Sequence, residues 1–283
     1  MFSPDRSPKF GLLRRVSLAA AVSALALAPE PALAIDPTPP PATESAKPVP
    51  ATPAPTAART DTPPPTAAAA TAFVPGIPTW VDVPGDKQAL VVQGPADSEL
   101  AIVYLHGLCG NVRAVESFSA ASARVGTVIA LLGDRNCPAG RFKWGKDIDA
   151  IGQRIDQALR AVKRARGGKL DIEHPVLFGY SQGAAKAEAL VSHYPEKYRL
   201  VVLGGPPREP KLPHLGNTTA VVVFGGERET TGHMRAGTQV LAAAGKPVRF
   251  FLLPAAKHGE FGPEGNRVVG EMLSWLLDTA KGT

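Results

Sequence analysis

The chain has 283 residues, 44% of them hydrophobic and 20% charged, with a formal net charge of +6 and two cysteines. Beyond residue 71 the balance is 25 Lys/Arg against 20 Asp/Glu, a dispersed +5 whose densest basic run is Lys163-Arg164-Ala165-Arg166. That run comes with no zinc-ligand spacing, no interleaved aromatics and no Gly-Lys-Ser/Thr phosphate loop, so a nucleic-acid partner is excluded and a solvated helix end accounts for it.

Residues 1–34 read as a secretory signal. Arg6, Lys9, Arg14 and Arg15 form a basic start, residues 16–28 an Ala/Leu-rich apolar run, and Ala32-Leu33-Ala34 a small-residue cleavage site. The apolar run is shorter than the roughly 20 residues of a membrane span, so no stable membrane anchor is expected. The chain is expected to be exported, to the periplasm or the medium. Arg14-Arg15 leaves the twin-arginine route open beside the general one. Residues 35–71 hold eleven prolines and almost nothing to bury, which predicts an extended linker, either a tether to the cell envelope or a plain tail.

Residues 72–283 are enough for one sizeable domain. Its predicted elements begin with a hairpin, strands 80–83 and 89–92 around Pro84-Gly85-Asp86. Strand 101–105 ends at His106-Gly107 and strand 127–132 follows. Ile148, Ile151, Ile155, Leu159 and Val162 then mark one face of a helix. Strand 176–178 runs into Gly179-Tyr180-Ser181-Gln182-Gly183, after which Ala185, Ala189, Leu190 and His193 fall at helical spacing. Strands 200–203, 220–224 and 248–253, a helical stretch 237–244 and a final helix carrying Val268, Val269, Met272, Leu273, Leu276 and Leu277 complete the series. Strands alternating with helices predict a mostly parallel central sheet flanked by helices, with ligands outside the carboxyl ends of its strands.

Chemically useful residues follow those ends. A serine hydroxyl needs a base to take its proton and a third group to orient that base. Ser181 stands at a strand-to-helix turn between two glycines, where a bulkier residue would strike neighbouring backbone. His258, five residues beyond strand 248–253, is the expected base. The acid should fall between them: Glu229 is favoured, with Glu227 and Glu209 as alternatives. The Gln182 amide, at the start of a helix, and the Leu108 amide, just after His106-Gly107, are the expected oxyanion donors. His106 reads as a residue tying that loop down. In an exported chain Cys109 and Cys137 suggest one disulfide, the alternative being two separate thiols. A bridge there would fix the oxyanion loop to its neighbour. Tyr180, Trp144 and Phe261 are candidates to line a pocket, or equally to pack in the core.

His-Gly after one strand, "GYSQGA" after a later one, then an acid and a histidine, resemble the α/β-hydrolase superfamily over about residues 79–280. "LHGL" and "GYSQGA" are similar to small carboxylesterases, phospholipases and cutinase-like or feruloyl-type esterases. The resemblance implies an α/β-hydrolase fold and hydrolysis of esters or related acyl bonds through an acyl-enzyme, with no metal and no organic cofactor. It carries over Ser181 as nucleophile, His258 as base, Glu229 as acid, and Leu108 and Gln182 as oxyanion donors. Glutamate stands where most relatives have aspartate. Between residues 203 and 220 the chain offers only "GGPPREPKLPHLGNTT", too short for a helical lid, so no large cap is expected and the site should be open to a small-molecule or surface-attached ester. A non-catalytic member of the fold binding an envelope ligand, and a peptidase or acyltransferase, are the rival readings.

Overall fold

The computed structural model describes residues 74–282; the signal (1–34) and the linker (35–71) expected from the sequence lie outside them. Eight strands form one sheet: β1 (Pro78–Val81), β2 (Ala89–Val92), β3 (Ala101–Leu105), β4 (Thr127–Leu131), β7 (Val176–Tyr180), β8 (Leu200–Gly204), β9 (Ala220–Gly226) and β10 (Val248–Leu253), in the order β1-β2-β4-β3-β7-β8-β9-β10. β1 and β2 pair antiparallel and attach antiparallel to β4; all remaining pairs are parallel. Two short strands, β5 (Arg135–Asn136) and β6 (Phe142–Lys143), form a separate antiparallel hairpin.

The sequence explains the layering. β3, β4, β7 and β9 are buried at every position, as expected of strands covered on both faces, where apolar runs replace alternation. On one face α2 (Ile148–Ala165) lays Ile151, Ile155 and Leu159 against the sheet beside Ala184, Ala187 and Leu190 of α3 (Gln182–His193). On the other face α6 (Gly265–Lys281) buries Val268, Val269, Met272, Leu273 and Leu276 near Phe118. Burying each such side chain is worth about 1.5–3 kcal/mol. Asp147 caps α2, its Oδ1 accepting from the Ala150 amide at 3.0 Å.

Several boundaries differ from the sequence reading. β1 starts at Pro78 rather than residue 80, and β7 runs on to Tyr180 because its ladder with β8 continues through the elbow glycine. α5 (Gly232–Ala243) begins five residues earlier than the apolar periodicity suggested. The 3₁₀ turns of Val112–Phe118 leading into α1 (Ser119–Ser122), the β5–β6 hairpin and the four-residue α4 (Leu212–Leu215) carried no periodic signal. Between β8 and β9 α4 is the only helix, so no large cap stands in that segment. The chain reverses its direction of travel across the sheet between β3 and β7, the switch point at which open sheets of this kind hold ligands.

Candidate active site

Ser181 follows β7 directly and adopts φ 53°, ψ −115°, a left-handed conformation costing a non-glycine residue about 1–3 kcal/mol. The turn is held from below, the Ser181 amide donating to the Gly204 carbonyl at 2.7 Å and its carbonyl accepting from the Ala184 amide at 3.0 Å. The flanking glycines are sterically required. A Cβ on Gly183 would overlap the Leu105 carbonyl oxygen, and one on Gly179 the Gly183 carbonyl. The elbow therefore presses α3 against the end of β3, and the same contact lifts the Ser181 hydroxyl above the sheet.

His258 comes from the loop after β10. Its Nε2 lies 2.9 Å from Ser181 Oγ, and its Nδ1 lies 2.6 Å from Glu229 Oε2. A carboxylate only accepts, so Nδ1 carries the proton and Nε2 is left to accept from the serine. Glu229 stands in the turn after β9 with its side chain 8% exposed, its other oxygen accepting from the Gly226 amide at 2.5 Å. Of the three candidate acids, the structure brings only Glu229 to His258. Glu227 accepts from the Ala255 amide at 2.7 Å and braces the loop after β10. Glu209 lines a separate cavity beside α3 with Lys186 and His214.

Two neighbours fix the imidazole. Gly205, at φ +48°, passes so close that a Cβ there would stand 3.0 Å from His258 Cε1. The Tyr180 ring lies 5.5 Å from the His258 ring, and its hydroxyl accepts from the Gly259 amide at 2.7 Å. Burial pushes the Tyr180 phenol up to about 12, so this acceptor stays neutral near neutral pH.

The other wall is the loop after β3. Gly107 packs on Ser181, a Cβ there standing 3.2 Å from the serine Cβ. Among the described residues no group accepts from the Leu108 or Gln182 amide, and the N-terminal end of α3 adds its dipole at Gln182. His106, 1% exposed, donates from Nδ1 to the Gly107 carbonyl at 2.7 Å and accepts the Gly133 amide at Nε2, 2.9 Å. Burial lowers its pKa and keeps the ring neutral, the form both hydrogen bonds require. Cys109 and Cys137 are disulfide-bonded, Cα atoms 5.6 Å apart, and Gly110 bridges to Phe142 of β6, so the loop and the hairpin form one unit.

Trp144 has a role the sequence did not reveal. It is buried rather than lining a pocket, and its indole N–H donates to the His106 carbonyl at 2.8 Å. Its backbone amide donates to Gln182 Oε1 at 2.9 Å and its carbonyl accepts from Gln182 Nε2 at 3.2 Å. One residue thus clamps the end of β3 to the start of α3, the two elements that bear the candidate oxyanion donors. Tyr180 and Phe261 do line a cavity of about 390 Å³ with Ser181 and His258, together with Leu108 and two arginines, Arg113 and Arg141. A larger cavity, about 880 Å³, is lined by Arg199, Thr218 and Lys246 and shares no residue with the one at Ser181.

Arranged this way, the hydroxyl, the imidazole and the two amides can activate a nucleophile and hold a developing oxyanion. Among the described residues no group of three His, Cys, Asp or Glu side chains could hold a metal ion, and no helix is long and apolar enough to cross a membrane.

No family model matches the chain, and no curated protein matches it in sequence. Solved structures do share its fold. Esterase B from Lactobacillus rhamnosis superposes with a TM-score of 0.52 at 16% identity, over 73% of this chain and 86% of that one. A carboxylesterase from Mesorhizobium loti gives 0.51 at 20% identity, over 66% and 94%. The Bacillus cereus carboxylesterase gives 0.50 at 19% identity, over 69% and 95%. The chain has the α/β-hydrolase fold.

Proposed function

We propose that this α/β-hydrolase-fold chain is an exported serine hydrolase that cleaves carboxylic esters through an acyl-enzyme. The observation that carries the reading is the unbroken line from Ser181 Oγ through His258 to Glu229, at 2.9 and 2.6 Å, beside two amides that have no acceptor among the described residues. His258 takes the Ser181 proton as Oγ bonds to the ester carbonyl carbon, and the carbonyl oxygen becomes the oxyanion held by the Leu108 and Gln182 amides. Collapse breaks the bond to the alcohol oxygen, which leaves with the proton from His258. Water then repeats the sequence on the acyl-enzyme, releasing the acid and restoring Ser181. Glu229 holds the imidazole in the required tautomer and stabilises its transient positive charge. Each oxyanion donor is worth about 3–4 kcal/mol.

Export is supported by the N-terminal sequence and by the Cys109–Cys137 bond, which persists in oxidising compartments; a small-molecule or surface-attached ester suits a site without a lid. The test is the intact mass of the mature protein after a fluorophosphonate probe. A single adduct, absent in Ser181→Ala, supports the reading. No adduct on folded protein overturns it in favour of a ligand-binding role. The N-terminus of the protein recovered from cell envelope and medium tests export, which predicts a start at Ile35.

A further inference from the structure

We infer that the cleft beside Ser181 selects esters carrying a second, anionic group, carboxylate or phosphate, which Arg141 binds. The inference rests on the serine-hydrolase reading and names the substrate class of the same site.

Two arginines, Arg113 and Arg141, line the cavity that holds Ser181 and His258, and among the described residues no aspartate or glutamate lines it. Two carboxylates lie close enough to act on Tyr180: Glu229 is committed to His258 and the Gly226 amide, and Glu260 accepts from the Lys257 amide at 3.1 Å. Arg113 is already paired, its Nη1 lying 2.6 Å from Glu116 Oε1. Arg141 is exposed and, among the described residues, has no carboxylate within ion-pair reach. The hairpin that bears it contains no acid, and Asp134, just before it, pairs with Arg135 at 3.2 Å and accepts from the Gly145 amide at 2.7 Å.

The Arg141 main chain is fixed although its side chain is unpartnered. Its carbonyl accepts from the Cys137 amide at 2.8 Å and its amide donates to Pro138 at 3.4 Å. Cys137 is bonded to Cys109, the neighbour of Leu108. The Arg141 backbone is therefore tethered covalently, through Cys137, to the loop that would hold the oxyanion. Apolar side chains, Leu108, Ala114, Tyr180 and Phe261 among them, line another part of the cavity. An apolar wall, a reactive serine and one uncompensated guanidinium fit an ester with an apolar segment and a remote anion, because a planar guanidinium pairs bidentately with carboxylate or phosphate.

The test uses two matched pairs on the full mature protein. The acyl side is probed with the mono-4-nitrophenyl ester of adipic acid against 4-nitrophenyl hexanoate. The alcohol side is probed with butyryl-glycerol 3-phosphate against glycerol monobutyrate. Within each pair the readout is the ratio of kcat/KM, anionic over neutral, for wild type, Arg141→Gln and Arg141→Lys. We expect a wild-type ratio of about five in at least one pair, the size of an exposed charge pair, falling toward one in Arg141→Gln, partly retained in Arg141→Lys and eroded by salt. The pair that shows it identifies carboxylate or phosphate. Ratios of one throughout, or a preference that survives in Arg141→Gln, overturn the inference while leaving the hydrolase reading intact. Absence of turnover with all four esters by folded wild type overturns both.

Discussion

The two walls of the cleft are built by different means. The Ser181 elbow is local: two glycines, a strand end and a helix start within five residues, shaped by what a Cβ would strike. The wall facing it is assembled from distant segments, with Gly133 on His106, Trp144 on both His106 and Gln182, and Cys137 on Cys109. A local turn is determined by the residues in it; the facing wall exists only when the rest of the domain is in place. The first should fail by losing chemistry outright and the second by losing alignment, so their variants should differ in size and in kinetic signature.

The largest effect belongs to the elbow serine and the histidine it meets. Ser181→Ala or His258→Ala should lower kcat by about 10⁵-fold, each alone about as much as both together, measured by ester hydrolysis. A double variant much worse than either single would break the picture of one catalytic unit. Next come the carboxylates. Glu229→Gln should cost about 10³–10⁴-fold in kcat, as loss of the orienting acid does elsewhere. Glu227→Gln, which weakens only a loop contact, should cost about 1 kcal/mol of stability and little rate. Equal losses in the two variants would reassign the acid.

The facing wall, and the Gln182 side chain that ties the elbow to it through Trp144, should give smaller losses confined to kcat. Reducing Cys109–Cys137, or replacing Gln182 by Ala, should lower kcat about tenfold with KM nearly unchanged, because amides displaced by a fraction of an ångström hold the oxyanion less well. A change in KM alone would make this wall a binding surface rather than part of the oxyanion site. The smallest effect is in pH. The folded His106 pKa lies below its unfolded value, so the unfolded chain binds more protons below about pH 6.5. Its stabilisation is present above that pH and is lost as pH falls through the lowered folded value, by at most about 1.4 kcal/mol per pH unit. Melting temperatures from pH 8 to 5 should show this slope in wild type and lose it in His106→Gln.

Legibility in the sequence divides along the same line. Strand 248–253 was bounded correctly, and the serine and histidine that meet in the structure could be named, because apolar runs and a strand-to-helix glycine pair are local signals. The acid was open among three glutamates because direction of approach, not position after a strand, decides which one reaches Nδ1. Trp144 read equally well as pocket or core, since its partners, Gln182 and His106, are each 38 residues away. The β5–β6 hairpin has two-residue strands, too short for any period to register. Arg141 became significant only when Cys137 was seen to carry it to the cleft.

The pairing of β3 with β7 bears on how the molecule is made. Ile102 lies beside Val176, so a nascent chain that has completed β1 to β4 presents the fully apolar Ala101–Leu105 as an open edge. It stays open until the hairpin, α2 and β7 have been synthesised. An exposed apolar edge invites pairing with other chains. The strand that later carries the serine therefore first serves as a cover, closing an aggregation-prone edge of the half-made protein with a ladder that ends at the first glycine of the elbow.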